Sequence, residues 1–530
     1  MTATFKLSRR RLLIGAGATL AAPALSGCSV FRRLGWGKGD PFSLGVAAGD
    51  PSPNGFVIWT RLAPDPLHRD PAAPGGMTGP SVPVAYEIAA DEGFQHIVQQ
   101  GTASAEADYA YSVHVEVVGL ESNRPYWYRF HQGDALSRVG RAMTAPAIGA
   151  RLDRLTFGFA SCANYENGYF SAYRHMAEES PDLVIFLGDY IYEYAEKKYP
   201  TVRTHSDGVE ANTLPLYRNR YAQYRLDPDL QLLHARAPAL MTWDDHEVQN
   251  DYADQWSQTF DDPQEFLKRR AAAYRAYYEH MPVRPSLSRP DGPNMRLYSS
   301  YAFGDLAQIS MLDGRQYRSR EACYAKPDKG HGHLETRKSC PELLDAQRSM
   351  IGLQQEQWLF ADFAASKSRW NIIGQDVFMA QQMERMPDGE AGFWTDDWNG
   401  YPASRKRLLQ HMHETKLSNP VVLTGDIHSF FANDLKLDFD KAKSPVVATE
   451  FVGTSVSARP GPYDVFAKAL KDNPHIKFFD NRQRGYVSVE VTPKSVQTRY
   501  QAISDEKDPK ATVSTLKAFT VENGKPGVQA

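Results

Sequence analysis

The chain lacks long apolar runs and any large excess of one charge. It has 530 residues, and we find no apolar run of about 18 residues or more, so no mature membrane-spanning helix is expected. Its 60 Lys and Arg nearly balance its 63 Asp and Glu, giving a formal net charge of -3. This balance supplies no basic surface, so we expect no nucleic-acid partner. A chain of this length has room for two or three domains.

The N-terminus has the layout of an export signal. Residues 1–28 contain SRRRLL at positions 8–13, followed by a stretch of apolar and small residues at 14–25. This layout is typical of a twin-arginine signal, so we expect the export machinery as a partner and a periplasmic or cell-surface location. The sequence from Leu25 to Cys28 also resembles a lipobox, in which Cys28 carries a lipid anchor. The alternative is cleavage after residues 22–24, which would release the protein.

Cysteine is scarce, with four residues in the whole chain. Cys323 and Cys340 flank a polar loop rich in Gly and Lys, and in an exported protein we expect them to form a disulfide. Such a bond is worth about 3 kcal/mol in the chain-entropy model. Cys162 is then left unpaired at the end of a predicted strand, where it is either inert packing or a metal ligand.

The order of elements predicts an all-β domain followed by an α/β domain. In residues 41–147, alternating runs such as VPVAYEIAA and YSVHVEVVGL are separated by turn residues, which indicates a β-sandwich. Tyr126 and Tyr128 fit an immunoglobulin- or fibronectin-like sandwich, and they also fit ordinary sheet packing.

In residues 152–505, strands alternate with predicted helices, as an α/β domain requires. We place these helices at residues 169–179, 263–280, 353–365 and 404–414. We expect the polar residues 506–530 to form a loosely held C-terminal tail.

Four predicted strands end on side chains that bind metals. Cys162 follows LTFGFAS, Asp189 follows LVIFLG, residues 244–246 (Asp-Asp-His) lie at the end of ALMTW, and residues 426–428 (Asp-Ile-His) follow PVVLTG. Ligands of open α/β sheets bind beyond the carboxyl ends of the strands, so these side chains can meet in one crevice. Several carboxylates there would repel each other unless cations neutralised them. The pattern predicts a polynuclear metal site.

Local spacing gives further expectations about these side chains. Asp189 and Tyr192 are three apart, and one helical turn would place both on the same face. Asp426 and His428 are two apart, and an extended segment would project both to one side with Ile427 in the core. The WDDHE cluster at 243–247 is either an acidic surface turn or a buried functional cluster. We favour the buried cluster because apolar ALMT and Trp243 precede its charges.

Ordered blocks along almost the whole chain resemble the alkaline phosphatase D (PhoD-like) family of metallophosphoesterases. The blocks include GVAAGDPSPNGFVIWTRLAP, FASCANYENGYF, VIFLGDYIYEY, MTWDDHEVQNDYAD, LDGRQYR and VVLTGDIHSFF. The resemblance implies an α/β metallophosphoesterase domain in which a two-sheet sandwich is flanked by helices. It also implies a phosphoesterase that uses a ferric ion and one or two calcium ions.

The resemblance implies a role for each candidate ligand. Cys162 and Tyr192 would bind the iron, Asp189 would bridge the metals, Asp245 and Asp426 would hold calcium, and His428 would complete the cluster. Thiolate and phenolate are anionic donors suited to iron, while calcium prefers carboxylate oxygens.

The implied reaction is metal-activated in-line attack on the phosphorus of a phosphomonoester, with phosphodiesters as a further substrate class. His246 would protonate the leaving oxygen or, alternatively, orient Asp245.

Arg315 would contact phosphate or form an ion pair near Asp313. The amides of Asn164, Asn250 and Gln375 are candidates for completing a calcium shell. The histidines of GHGH at 330–333 are a weaker metal candidate in a solvated loop.

Two other functions compete with this interpretation. One is a phospholipase D-like or teichoic-acid-type phosphodiesterase that uses the same metals. The other is a surface binding protein stiffened by calcium, which would keep its fold and bind its partner without turnover. A thiolate next to the carboxylates argues against the second function, because calcium alone does not use sulfur ligands.

Overall fold

The computed structural model describes residues 39–196, 201–324 and 332–529. The predicted signal at residues 1–28, including Cys28, lies outside these ranges. Within them, no helix combines the length and the apolar character needed to cross a membrane.

Strands outnumber helices in this protein. In chain order the strands are β1 (Val46–Ser52), β2 (Gly55–Arg61), β3 (Val82–Ala89), β4 (Ile97–Ala105), β5 (Ser112–Val118), β6 (Pro125–Gln132), β7 (Ala135–Leu136), β8 (Gly140–Met143), β9 (Leu155–Ala160), β10 (Leu183–Leu187), β11 (Ala239–Thr242), β12 (Ser299–Phe303), β13 (Ala307–Met311), β14 (Leu334–Thr336), β15 (Trp370–Gly374), β16 (Met383–Arg385), β17 (Ala391–Trp394), β18 (Pro420–Thr424), β19 (Phe430–Lys436), β20 (Val446–Val452), β21 (Ile476–Asp480), β22 (Gly485–Val491), β23 (Ser495–Ile503), β24 (Val513–Glu522) and β25 (Lys525–Gln529). The α-helices are α1 (Ser171–Glu178), α2 (Leu214–Arg225), α3 (Pro228–Arg236), α4 (Pro263–His280), α5 (Pro285–Ser288), α6 (Leu353–Ala365), α7 (Pro402–Glu414) and α8 (Tyr463–Ala469).

Two large sheets form the body of the molecule. The larger has ten strands in the order β25-β24-β23-β22-β9-β10-β11-β1-β2-β5, and the other has seven in the order β12-β13-β15-β18-β20-β19-β21. They share one apolar core, to which Phe159 and Leu187 contribute from the first sheet and Ile309 and Leu423 from the second. Helices α1 to α4 pack on the outer face of the ten-stranded sheet, while α6 and α7 pack on that of the seven-stranded sheet. The observed architecture is therefore two packed sheets flanked by helices.

The N-terminal β region forms two layers, and one of them continues into the ten-stranded sheet. A second sheet of β4, β3, β6 and β7, with β8 on β6, packs against β1, β2 and β5. Strand β1 pairs in parallel with β11 through Gly49 and Ala239. The β layers of residues 41–147 are thus joined to the α/β part by backbone hydrogen bonds.

The four helices placed from the sequence are all found, while α2, α3, α5 and α8 were not predicted. The bounds of α4 and α6 coincide with the predicted ranges, and α1 and α7 differ from them by one or two residues at an end. Helix α4 shows why: the Asp262 side chain accepts hydrogen bonds from the N–H groups of Gln264 and Glu265, and Pro263 occupies the first turn. An N-cap aspartate followed by proline is a strong start signal.

The predicted polar tail at residues 506–530 is wrong. Residues 513–522 and 525–529 form β24 and β25, which pair with each other at the edge of the ten-stranded sheet. Phe519 and Val521 alternate with less buried residues and lie in the core between the two large sheets. The polar residues of β24 lie on the outer face of the sheet, one strand in from the edge, and composition alone does not distinguish such a face from a tail.

The predicted disulfide is confirmed. Cys323 and Cys340 are bonded with their Cα atoms 6.1 Å apart, across a sequence separation of 17. Cys162 is a free, buried thiol, as the sequence suggested.

Candidate metal centre

The four strand ends meet where the two large sheets pack together. Cys162, Asp189 and Asp244 follow β9, β10 and β11 of the ten-stranded sheet, whereas Asp426 follows β18 of the seven-stranded sheet. The Cys162 N–H donates to the Gly188 carbonyl at 3.2 Å, and the Cys162 Sγ lies 3.7 Å from the Asp426 carbonyl. These contacts bring side chains from both sheets into one buried cluster.

Four of the predicted ligands have a left-handed backbone. The φ angles of Cys162, Asp189, Asp426 and His428 are 60°, 54°, 62° and 51°. This region is unfavourable for residues with a Cβ, costs about 1–3 kcal/mol at each position, and is concentrated at functional sites. Each strand therefore ends in a sharp turn that aims its side chain across the strand ends.

These turns correct two expectations about local structure. Asp189 and Tyr192 do not lie on a helical turn, yet the Tyr192 hydroxyl donates to Asp189 Oδ2 at 2.8 Å. The segment from Asp426 to His428 is not extended, because both residues have positive φ, and Ile427 is only half-buried. The spacing of Asp189 and Tyr192 correctly predicted that their side chains are neighbours, but the helical turn on which that prediction rested does not form.

A sulfur, a phenol and an imidazole lie around Asp189. The ligand atoms of Cys162, Asp189 and His428 all lie within 4.8 Å of one another. His428 Nδ1 is 2.6 Å from the Arg459 carbonyl oxygen and so carries the proton, which leaves the Nε2 lone pair 3.0 Å from the Tyr192 hydroxyl. One hydroxyl proton cannot satisfy both Asp189 and His428 Nε2. A cation among these donors resolves that conflict, so the residues fit a metal ion.

Two further groups continue the cluster through carboxylates. Asp189, Asp245 and His246 form one group, and Asp245, Asp251 and Asp396 form the next, with the same 4.8 Å limit between ligand atoms. Because Asp189 and Asp245 are each shared, the three groups make one continuous chain of ligands. Asp426 stands outside these groups, half-buried at their edge.

Charge at the shared carboxylates is only partly compensated: His246 acts favourably on both, and an Arg315 nitrogen lies 3.7 Å from Asp245 Oδ2. Asp189 Oδ1 and Asp245 Oδ1 are buried without a hydrogen-bond partner among the described residues. Burial raises the pKa of Asp189 well above its usual range, and Asp245 and Asp244 raise it further against the opposing effect of His246. Burial and Asp244 likewise raise the pKa of Asp426. Ionised carboxylates in such a place require cations, which is the second observation that fits metal ions.

His246 is held by an acid and two aromatic rings. Its Nδ1 lies 2.7 Å from Glu193 Oε2, and the other Glu193 oxygen accepts the Asn250 N–H at 3.0 Å. The rings of Tyr192 and Tyr194 lie 4.1 and 4.9 Å from the imidazole centroid. Burial lowers the pKa of His246, but Glu193, Asp245 and Asp189 outweigh it and hold that pKa well above its usual value. A protonated His246 can donate a proton.

Arg315 is buried and forms ion pairs within the protein. It is fully buried, and its guanidinium donates to Asp244 at 2.5 Å and to Asp396 at 2.9 Å. The ion pair predicted beside Asp313 does not form, because Asp313 instead accepts the Arg315 backbone N–H and the Trp243 indole N–H. Arg315 supplies positive charge to one side of the cluster.

The cluster at 243–247 is buried, as predicted, and its glutamate has a role that the sequence did not reveal. Glu247 accepts the backbone N–H groups of Asp189 at 3.2 Å, Tyr190 at 2.6 Å and Asp244 at 2.9 Å. One buried carboxylate thereby fastens the turns after β10 and β11 to each other. Burial raises the pKa of Glu247 to about 8.

Comparison with known proteins identifies the family. A model described as PhoD-like phosphatase matches residues 157–500, and the model of its N-terminal domain matches residues 35–146. The chain belongs to the PhoD-like phosphatase family. It is 44% identical over 496 residues to alkaline phosphatase D of Bacillus subtilis, covering 92% of this chain and 82% of that protein. A solved structure, "Structure of PhoD", is similar with a TM-score of 0.86 and 43% identity, covering 93% of this chain and 92% of that one. The protein is therefore a phosphate-ester hydrolase.

In this PhoD-like phosphatase the three candidate amides are engaged by the protein. Gln375 Nε2 donates to Thr424 Oγ1 at 2.7 Å, and its Oε1 accepts the Trp398 indole N–H at 3.0 Å. Asn250 bonds to Gln258, and Asn164 Oδ1 accepts the Glu166 N–H at 3.0 Å. Each of the three amide side chains is thus hydrogen-bonded within the protein.

Sequence reasoning missed two carboxylates of this phosphatase's cluster. Asp251 lies in the quoted block MTWDDHEVQNDYAD, but the block offered several acids and no way to rank them. Asp396 follows β17, far from the four strand ends in sequence. Gly332 of the GHGH segment donates its N–H to Asp251 Oδ2 at 2.7 Å, so this segment contacts the cluster through its backbone. His331 lies outside the described residues.

Proposed function

We propose that this phosphatase hydrolyses phosphomonoesters, and also phosphodiesters, with one Fe³⁺ and one or two Ca²⁺. The observation that carries the proposal is the chain of three ligand groups joined by Asp189 and Asp245, whose free oxygens are buried. One end of that chain offers sulfur, phenol and imidazole donors, and the other offers carboxylates. Iron accepts donors of the first kind and calcium those of the second.

We assign Cys162 and Tyr192 to the iron and place Asp189 between the metals. The buried Cys162 thiol supports this, because burial raises its pKa well above the usual value and Asp189 raises it further, so a metal would be needed to hold the thiolate. Asp245 and Asp426 are assigned to calcium, and His428 completes the cluster through Nε2. For Asp426 the support is its position after β18 and the family resemblance.

The protein's own residues would position the ester and supply a proton. When bound, the metals would clamp the phosphoryl oxygens and activate the attacking water. His246 is the proposed general acid for the leaving oxygen: Glu193 holds its Nδ1, and Nε2 is the atom left for the substrate. Tyr192 and Tyr194 fix the plane of the imidazole from two sides.

Family membership decides between the competing functions. The similarity to alkaline phosphatase D over most of the chain makes the calcium-stiffened binding protein an unfavoured alternative. The phospholipase D-like and teichoic-acid-type alternatives are not favoured either, since the matching family model is that of a phosphatase.

The finer fold labels and the location belong to the same proposal. We assign an immunoglobulin- or fibronectin-like character to the N-terminal β layers, supported by Tyr126, whose hydroxyl accepts the Glu121 N–H at 3.1 Å as in a tyrosine corner. The α/β part is assigned to the metallophosphoesterase fold. Residues 8–13 support export through the twin-arginine machinery to the periplasm or cell surface, and residues 25–28 support a lipid anchor on Cys28.

Calcium dependence provides the test. Dialysis against a calcium-selective chelator should abolish hydrolysis of an aryl phosphate, and added calcium should restore it, because Asp189, Asp245 and Asp426 carry more negative charge than one cation balances. The circular dichroism spectrum should stay unchanged, which would show that the fold is retained. An unaltered rate after calcium is removed would contradict the calcium part of the proposal.

A further inference from the structure

A second cavity lies at the opposite end of the ten-stranded sheet from the metal centre. Its volume is about 490 Å³, and its lining includes Trp127, Arg138 and Arg141 from the N-terminal β region and Ser180 and Arg236 from the α/β part. Ser180 and Arg236 precede β10 and β11, whereas the metal-centre aspartates follow those strands. A strand of five residues spans about 17 Å, so the cavity is separate from the catalytic cluster.

Three arginines of this cavity have no carboxylate partner. Within the three described ranges, no acidic oxygen lies within the 4.0 Å ion-pair distance of the side chains of Arg138, Arg141 or Arg236. Arg138 donates to the Gln231 amide oxygen at 3.4 Å, and Arg141 to the Arg236 carbonyl at 3.3 Å. Neither acceptor carries a full negative charge. Glu92, at the exposed rim, is the acidic residue of the lining.

The charge of Arg236 acts on both other arginines. Burial lowers the pKa of Arg138, and the charge of Arg236 lowers it further. Burial also lowers the pKa of Arg141; Asp182 opposes this, and the charge of Arg236 adds a smaller lowering effect. Arg236 donates no side-chain hydrogen bond to the described residues, so its guanidinium is available. Repulsion among three guanidinium groups is relieved when an anion binds between them.

Trp127 gives the cavity an aromatic wall. The indole is half-buried, and no other aromatic ring of the described chain stacks on it. Tyr128 and Phe130 of the same strand, by contrast, are buried and pack edge to face. An indole face that borders water in a cationic cavity is a surface on which a ligand ring can stack.

We propose that this cavity binds a small organic phosphate, with the phosphate group on Arg138, Arg141 and Arg236 and a planar ring on Trp127. Guanidinium groups match phosphate oxygens with paired N–H donors, and arginine recognises phosphate for this reason. The volume falls within the range of about 300–1,000 Å³ that is common for small-ligand pockets, and it exceeds the needs of inorganic phosphate alone. The inference stands on this cavity and does not depend on the proposed metals.

Calorimetry with a stable ligand tests the proposal on the full chain. Phenylphosphonate is suitable because its C–P bond is not a phosphate ester and is not hydrolysed. We expect two classes of binding site. The site at the metal centre should be lost in Asp245→Asn. The affinity of the other should fall about tenfold or more in Arg138→Ala/Arg236→Ala, because each charged hydrogen bond adds to the binding free energy. Turnover of the arginine variant should equal that of the wild type. Arg151→Ala, at an exposed arginine paired with Asp153, is the matched control and should bind normally.

A second variant separates the ring from the phosphate. Trp127→Ala should lower the affinity for phenylphosphonate about two- to tenfold more than the affinity for inorganic phosphate, because only phenylphosphonate has a ring to stack. If Arg138→Ala/Arg236→Ala fails to fold, the single variant Arg236→Ala can replace it in the calorimetry, because the Arg236 side chain makes no hydrogen bond to the described residues. A single class of site that vanishes in Asp245→Asn would overturn the proposal. Equal losses of both ligands in Trp127→Ala would overturn the stacking part.

Discussion

The two sides of the metal centre are built differently. On one side, Cys162, Tyr192 and His428 contribute one donor each of sulfur, phenol and imidazole, placed by backbone turns with positive φ at two of the three residues. On the other side, Asp251 and Asp396 contribute only carboxylates. This difference in donor type is the basis of our proposal that the cluster binds two kinds of metal ion.

The two sides also differ in how their charge is balanced. Asp244 and Asp396 bond to the buried Arg315, so the carboxylate side has a cation of its own. Asp189 and Asp245, where the sides meet, each keep a buried oxygen without a partner among the described residues. Arg315 also lies 3.7 Å from Asp245, so the need for added positive charge is greatest at Asp189.

The largest effect should follow from Asp189→Asn, which removes the carboxylate that both sides share. We expect activity to fall to the background rate and both metals to be lost, because the amide brings no negative charge to either. Elemental analysis and hydrolysis of an aryl phosphate measure the outcome. Asp153→Asn, at an exposed aspartate, is the control. Retention of the full metal content would show that the two sides bind metals independently of Asp189.

His246→Ala should have the next largest effect. It removes a proton donor without removing a carboxylate, so turnover should fall about 10² to 10⁴-fold while the metals remain. The loss should be greater for an alkyl phosphate than for an aryl phosphate whose leaving group needs little protonation. Steady-state rates on both esters, together with metal analysis, check this.

Glu193→Gln is the matched variant for His246, because it keeps the shape of the partner but removes its charge. We expect a smaller loss, about 10- to 100-fold, with the same dependence on the leaving group. Equal losses of turnover for alkyl and aryl esters in both variants would show that His246 positions the phosphate. Loss of metal would show instead that His246 orients the ligand Asp245.

Arg315→Met tests whether the carboxylate side needs its own cation. Removing one partner of a buried ion pair costs about 3–5 kcal/mol, so we expect the free energy of unfolding to fall by that amount. Denaturant unfolding of the full chain measures it. A variant of normal stability with much weaker phosphate binding would instead show that Arg315 contacts the substrate.

The sequence was most informative where structure is local. The apolar runs before Cys162, Asp189 and Asp426 predicted the strands, and the Asp262-Pro263 signal predicted the start of α4, because strand burial and helix capping depend on nearby residues. The rule that ligands gather at strand ends then predicted the cluster.

What the sequence did not predict depends on distant contacts. Asp396 joins the cluster where it is bound by Arg315, 81 residues earlier, and by Arg318. Strand β24 is recognisable only once Phe519 and Val521 have a core to enter. The positive φ of Cys162 lies at the junction of the two sheets, and the residue type gives no sign of it, whereas aspartate, as at Asp426, is a residue type enriched at positive φ.

Iron content and visible absorption of the purified protein, compared with Cys162→Ser, test the difference between the two sides most directly. Ferric iron bound by thiolate or phenolate absorbs visible light, so the wild type should be coloured and contain iron. Cys162→Ser should lose colour, iron and turnover together, while its calcium content stays closer to that of the wild type because the carboxylate side is intact. A colourless, iron-free protein with full activity would contradict the account.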